Sequence, residues 1–194
     1  MSAVLDAPTP KKFTPDDLLR MPDEGKGFEL VNGELKELNV SFLSNFVAGE
    51  VYGALRDHAK PRRLGWISRE GTSFQCFSDD PDRVRRADVA LHRLDRLTTE
   101  QATAEGHMRI VPDMVVEVIS PNDLAYEVNE KRKEWLSAGV QLVWVIDPVR
   151  QIIQAFRADR RLREFERTDI VTAEPVLPDF QVPASDLFKL PTEA

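Results

Sequence analysis

The 194-residue chain is 42% hydrophobic and 30% charged, the balance of a soluble globular protein and not of a disordered or fibrous one, and its length suits a single domain whose core needs no covalent staple. Its formal net charge of -7 and pI of about 5.1 argue against coating nucleic acid by bulk electrostatics, a mode that calls for a strongly basic domain. The single cysteine, Cys76, has no internal disulfide partner and no zinc-ligand spacing around it; residues 1–10 lack the apolar core of a signal peptide, and no apolar run approaches the roughly 20 residues of a membrane span, so the expected setting is a reducing cytoplasm with no membrane partner.

In chain order, residues 1–12 read as a loose tail ahead of one domain over 13–194. Thr14, Pro15, Asp16 and Asp17 supply an N-cap, a first-turn proline and acids at the positive end of the dipole, which predicts a short helix carrying Leu18 and Leu19. Asn32-Gly33 between the apolar runs 28–31 and 35–40 predicts a two-residue hairpin. Apolar residues recur at helical spacing over 42–59, with Pro61 expected to stop the helix. Short strands follow at 65–68, 72–77 and 86–92, then a polar connection over 93–109. A strand at 114–119, a helix over 123–138 ended by Gly139, and a buried strand at 142–146 come next. A half-exposed hairpin over 151–156 and 162–167 and an irregular wrapping segment over 176–190 complete the chain.

Glu117 interrupts Met-Val-Val-Glu-Val-Ile, a strand apolar enough to be buried on both faces, where an unpaired carboxylate is very costly. A cationic side chain, a protonated state or a bound metal must compensate it, with metal the leading reading. Asp113, four residues earlier, lies roughly 13 Å away along a strand, too far to share an ion. Asp88, in Arg-Ala-Asp-Val-Ala-Leu, is the partner expected from a neighbouring strand, and two facing strand carboxylates make an oxygen-rich divalent site able to activate water in phosphodiester hydrolysis. Lys131 shares a helical stripe with Val128, Trp135 and Ala138, which turns it inward while Glu127, Glu130 and Glu134 point elsewhere. Either it joins the acids or its stem covers apolar surface. Glu29, just before the Asn-Gly turn, is a fourth candidate, as added ligand, hydrogen-bond acceptor or solvent-facing acid. The three histidines show no metal-binding spacing, with His92 expected at the rim, and no phosphate-cradling glycine loop is present.

Phe-Glu-Leu-Val-Asn-Gly-Glu-Leu at 28–35, Ala-Asp-Val at 87–89, Pro-Asp-Met-Val-Val-Glu-Val-Ile-Ser-Pro at 112–121, and Lys131 through Gly139-Val140 to Val-Trp-Val-Ile-Asp-Pro at 143–148 occur in an order that resembles the Uma2 family of putative endonucleases, over about residues 13–187. The resemblance implies an α/β, restriction-endonuclease-like core of the PD-(D/E)xK type, a central mixed sheet flanked by helices, with a site built from Asp88, Glu117 and Lys131 and supported by Glu29. Ala87 replaces the usual proline before the aspartate, and Ile119 stands where the superfamily pattern has lysine, so the lysine has to come from Lys131. Asn45 replaces a histidine often found at the start of the long helix. The leading expectation is a DNA endonuclease using Mg²⁺ or Mn²⁺ held by Asp88 and Glu117, and a homodimer would let two sites cut two strands. The alternative is a catalytically inactive binding or assembly module that keeps the fold. The retained Asp88, Glu117 and Lys131 favour the first, and the acidic net charge favours the second.

Overall fold

A computed structural model describes residues 12–192. The expected tail over 1–12 lies, apart from Lys12, outside the described residues. Thr14 accepts the Asp17 amide and Asp17 accepts the Thr14 amide, a reciprocal cap that starts α1 (Pro15–Leu19). The hairpin of β1 (Phe28–Val31) and β2 (Glu34–Glu37) turns at Asn32 and Gly33, whose φ values of 55° and 81° match the twist of the strands. Leu30 pairs with Val84 through backbone bonds in both directions, which ties the hairpin to the chain just ahead of Asp88.

The long helix α2 (Phe42–Arg62) runs past Pro61 instead of stopping before it. In the last turn a proline removes only one intrahelical hydrogen bond, and Arg63, left-handed at φ 55°, closes the helix by donating to the Ala59 and Lys60 carbonyls. Next come β3 (Gly65–Arg69), the short pair β4 (Ser73–Phe74) and β5 (Arg85–Arg86), β6 (Val89–Arg93), α3 (Thr99–Ala102), β7 (Met114–Val118), α4 (Ala125–Ala138) and β8 (Leu142–Asp147). The chain ends through β9 (Ile152–Arg157), β10 (Leu162–Phe165), β11 (Ile170–Thr172), β12 (Gln181–Pro183) and α5 (Ala184–Phe188).

Six strands form a mixed sheet in the order β10-β9-β8-β7-β6-β3. Its one parallel pair, β7 with β8, is joined by α4 as a crossover, and Gly139 at φ 107° ends that helix. Strand parity divides β7: Met114, Val116 and Val118 enter the core under α2 and α5, while Val115 faces a second core with Trp135 of α4. Glu117 has the parity of Val115 and therefore lies on the α4 side. Among the described residues no helix is long and apolar enough to cross a membrane.

Three further expected elements differ. The strand over 72–77 shrinks to Ser73–Phe74, and the strand over 86–92 is broken at Ala87-Asp88. The segment 176–190 is not irregular throughout, because Ala184, Leu187 and Phe188 form one face of α5 and bury it against the main core.

Candidate active site

Glu117 and Asp88 meet at the end of the β6–β7 ladder. The antiparallel register pairs Val89 with Val116 and Ala90 with Val115, and one further step sets Asp88 opposite Glu117. Asp88 is not inside a strand as expected, but in the bend that leads into β6. There its Oδ2 accepts the Val118 amide at 2.6 Å, so a side chain serves the strand end. This is its one hydrogen bond among the described residues.

Lys131, in α4, reaches the same place. Its ammonium forms ion pairs with Glu117 Oε2 at 2.8 Å and Glu29 Oε1 at 2.9 Å and donates to the Arg86 carbonyl at 2.7 Å. One helical turn on, fully buried Trp135 donates from Nε1 to Glu117 Oε1 at 2.7 Å. Both oxygens of Glu117 are thus held from α4. Glu29 is also buried, with Oε1 accepting the Arg86 amide at 2.8 Å and Oε2 taking the Arg85 guanidinium at 2.8 Å. Paired with two cations, Lys131 and Arg85, Glu29 is already charge-compensated and fits the part of a positioning residue and not that of a metal ligand.

Arg85 and Arg86, which the sequence offers only as part of a local basic run, and Glu134 belong to the same network. Arg85 bridges Glu29 and Glu134, the latter at 2.7 Å, so Glu134 joins the network instead of pointing away from it, and Glu127 and Glu130, also expected to point elsewhere, line the cleft. Arg86 donates to the carbonyls of Phe28, Gly71 and Glu24. The signal available was the alternation of Arg83, Arg85 and Arg86 with buried Val84 and Ala87, unusual for a solvated basic run.

The site carries excess negative charge. Burial raises the proton affinity of Glu117, Lys131 draws it back, and the carboxylates of Asp88 and Glu29 raise it again, to about 8. Burial likewise pushes Asp88 up to about 6 despite Lys131 and the Val118 amide. Glu29 goes the other way: burial opposes its charge, but Lys131, Arg85 and the Arg86 amide outweigh burial and hold it below the usual carboxylate range. Burial would strip the Lys131 proton, yet Glu117, Glu29 and Asp88 keep it bound beyond the ordinary lysine range. Asp88, Glu117 and Lys131 open on a cleft of about 340 Å³ walled by the β1–β2 hairpin on one side and α4 on the other.

Two carboxylates of raised proton affinity, one with a single hydrogen bond, are a donor set suited to a hard divalent cation. Among the described residues no three His, Cys, Asp or Glu side chains converge as a closed cage. Mg²⁺ and similar ions need no such cage, since they commonly take one or two carboxylates and complete their shell with water and phosphate oxygens.

The other acids and histidines stand apart. Asp113 is buried against Arg96 at 3.2 Å and accepts the Arg93 amide, a structural role consistent with its distance along the strand. His92 is no rim residue: it is buried, with Nε2 3.1 Å from the Ile110 carbonyl. Cys76 packs against the second core, and burial pushes its thiol up to about 12.

The family described as Uma2, putative restriction endonuclease, matches residues 15–185. The chain belongs to this family. Among solved structures, a putative nuclease belonging to DUF820 from Anabaena variabilis superposes with a TM-score of 0.75 at 21% identity, over 91% of this chain and 97% of that one. At that identity the likeness shows the shared fold. No curated protein matches. The Uma2 assignment and the mixed six-stranded sheet agree with the restriction-endonuclease-like core expected from the motifs.

Proposed function

We propose that the chain is a metal-dependent endonuclease hydrolysing phosphodiester bonds of DNA, with Asp88 and Glu117 as the ligands of Mg²⁺ or Mn²⁺, Lys131 as the cation beside them and Glu29 as the residue that positions Lys131. The observation that carries the reading is the facing pair Asp88 and Glu117, under-neutralised and open to a cleft. Membership of a family described as putative restriction endonucleases supports it, as does the shared fold of a neighbour described as a putative nuclease.

A divalent cation bound there supplies Lewis acidity toward a phosphoryl oxygen and acidifies water. The chain's own residues fix the geometry. Trp135 and Lys131 lock the Glu117 carboxylate from α4, and the Val118 amide locks Asp88. Lys131 keeps its charge at the cleft floor and so favours the negative charge that develops on a phosphate in flight, without needing to donate a hydrogen bond to it.

Incubation of the purified protein with supercoiled, linear and single-stranded DNA, with Mn²⁺ or with chelator, tests the reading. Cleavage that requires the cation and is lost in Asp88→Asn is the expected result. Intact DNA in every arm contradicts it and favours the inactive binding module, which the acidic cleft lining also suits.

A further inference from the structure

The cleft walls carry a pattern that the metal site does not explain. Nine carboxylates line the cleft against four cations, an unfavourable surface for the closely spaced phosphates of a duplex. Three of those cations are committed: Arg85 and Lys131 have side chains only 11% and 15% exposed within the buried network, and Arg86 is held by backbone carbonyls. Lys36 of β2 is the exception, with a side chain 49% exposed.

Lys36 reaches across the mouth. Its Nζ lies 3.4 Å from Glu127 Oε1 of α4, an ion pair between the hairpin wall and the helix wall. A duplex brings one charge per about 1.7 Å of its axis and a single strand half that density, so a single strand meets less repulsion from the carboxylates of the cleft. The rim also offers apolar surface, with Val40 and Tyr126 both lining the cleft while 56% and 61% exposed. An exposed tyrosine ring beside a phosphodiesterase site is a platform for an unpaired base, and stacking of this kind holds single strands without relying on dense phosphate contacts.

We propose that the cleft takes a single, unpaired DNA strand, gripped by a base stacked on Tyr126 and by one phosphate that displaces Glu127 from Lys36. The proposal rests on the nuclease reading and names its substrate class. Exposed ion pairs such as Lys36–Glu127 are weak, so a phosphate can replace the carboxylate without disturbing the fold.

Fluorescence anisotropy with labelled oligothymidine and with a duplex of equal length tests this, with Ca²⁺ in place of Mn²⁺ and strand integrity checked on a gel. The unpaired strand is expected to bind at least about tenfold more tightly than the duplex, with about that factor lost in Tyr126→Ala and regained in Tyr126→Phe. A plot of log affinity against log salt should have a slope near -1, flattened in Lys36→Ala, where a six-contact duplex binder would show roughly -5. Glu127→Gln, which frees Lys36, should tighten binding. Equal or tighter duplex binding, an unaffected Tyr126→Ala variant, or no binding to either DNA overturns the proposal. A parallel cleavage assay in Mn²⁺ separates the two claims. Preferential binding of the unpaired strand without cleavage leaves this proposal standing and sinks the nuclease reading, whereas preferential cutting of duplex does the reverse.

Discussion

The Lys131 ammonium sits 2.8 Å from Glu117, pairs with Glu29 as well and donates to the Arg86 carbonyl. Its role is therefore architectural as well as electrostatic, since one cation joins α4, the hairpin and β7 at the floor of the cleft. Losing it leaves two buried carboxylates facing one another.

Lys131→Met should accordingly lower stability by about 3 kcal/mol, the usual cost of breaking a buried pair from one side, and should abolish DNA cleavage. Urea unfolding and the cleavage assay check the two parts. A fully active variant with an unchanged unfolding midpoint would mean that Lys131 merely covers apolar surface.

Asp88→Asn should behave differently, because an amide oxygen can still accept the Val118 amide while the charge beside Glu117 disappears. Stability should stay within about 1 kcal/mol of wild type, and cleavage should be lost. Thermal or urea unfolding showing a collapse of several kcal/mol would assign Asp88 a structural part beyond this one bond.

Much of this arrangement is written in local patterns. The Asn32-Gly33 turn, the cap at Thr14, the apolar run around Glu117 and the stripe through Val128, Lys131 and Trp135 each follow from a period or a turn chemistry, and each has its counterpart in the structure. What escaped depends on contacts between distant segments. Asp88 leaves the strand because its side chain takes over the Val118 amide, a choice invisible without the register of β6 on β7. Arg85 is buried because Glu29 and Glu134, far away in sequence, converge on it. The helix persists through Pro61 because a last-turn proline forfeits only one bond, and α5 is too short for its period to stand out.

Arg85 should not tolerate replacement by lysine. Its guanidinium reaches Glu29 from one nitrogen and Glu134 from another, a fork that a single ammonium does not reproduce. Arg85→Lys is expected to cost about 1–3 kcal/mol in urea unfolding and to reduce cleavage through the loosened Glu29–Lys131 contact. Wild-type stability and rate would remove Arg85 from the positioning network.

The raised proton affinity of Glu117 has a definite pH consequence. Between about pH 5 and pH 8 the unfolded chain has released this proton and the folded chain has not, so the folded state binds more protons and stability falls as pH rises, levelling off once the folded group ionises above about 8. His92 and His107, both shifted downward by burial, act in the opposite sense below about pH 7, so the Glu117 decline is read between pH 7 and 8. Chelator-treated protein should show the decline in urea midpoint, and Glu117→Gln should lack it. A midpoint rising over the same range would show that Glu117 is ionised at neutral pH.

Calorimetric titration of the protein with Mn²⁺ addresses the central claim, that Asp88 and Glu117 together hold a divalent cation. Wild type should bind near neutral pH with release of protons, because the Glu117 carboxyl must ionise to act as a ligand, and Asp88→Asn and Glu117→Gln should each abolish the heat of binding. Unchanged Mn²⁺ affinity in either variant, or no binding to wild type, would contradict the account.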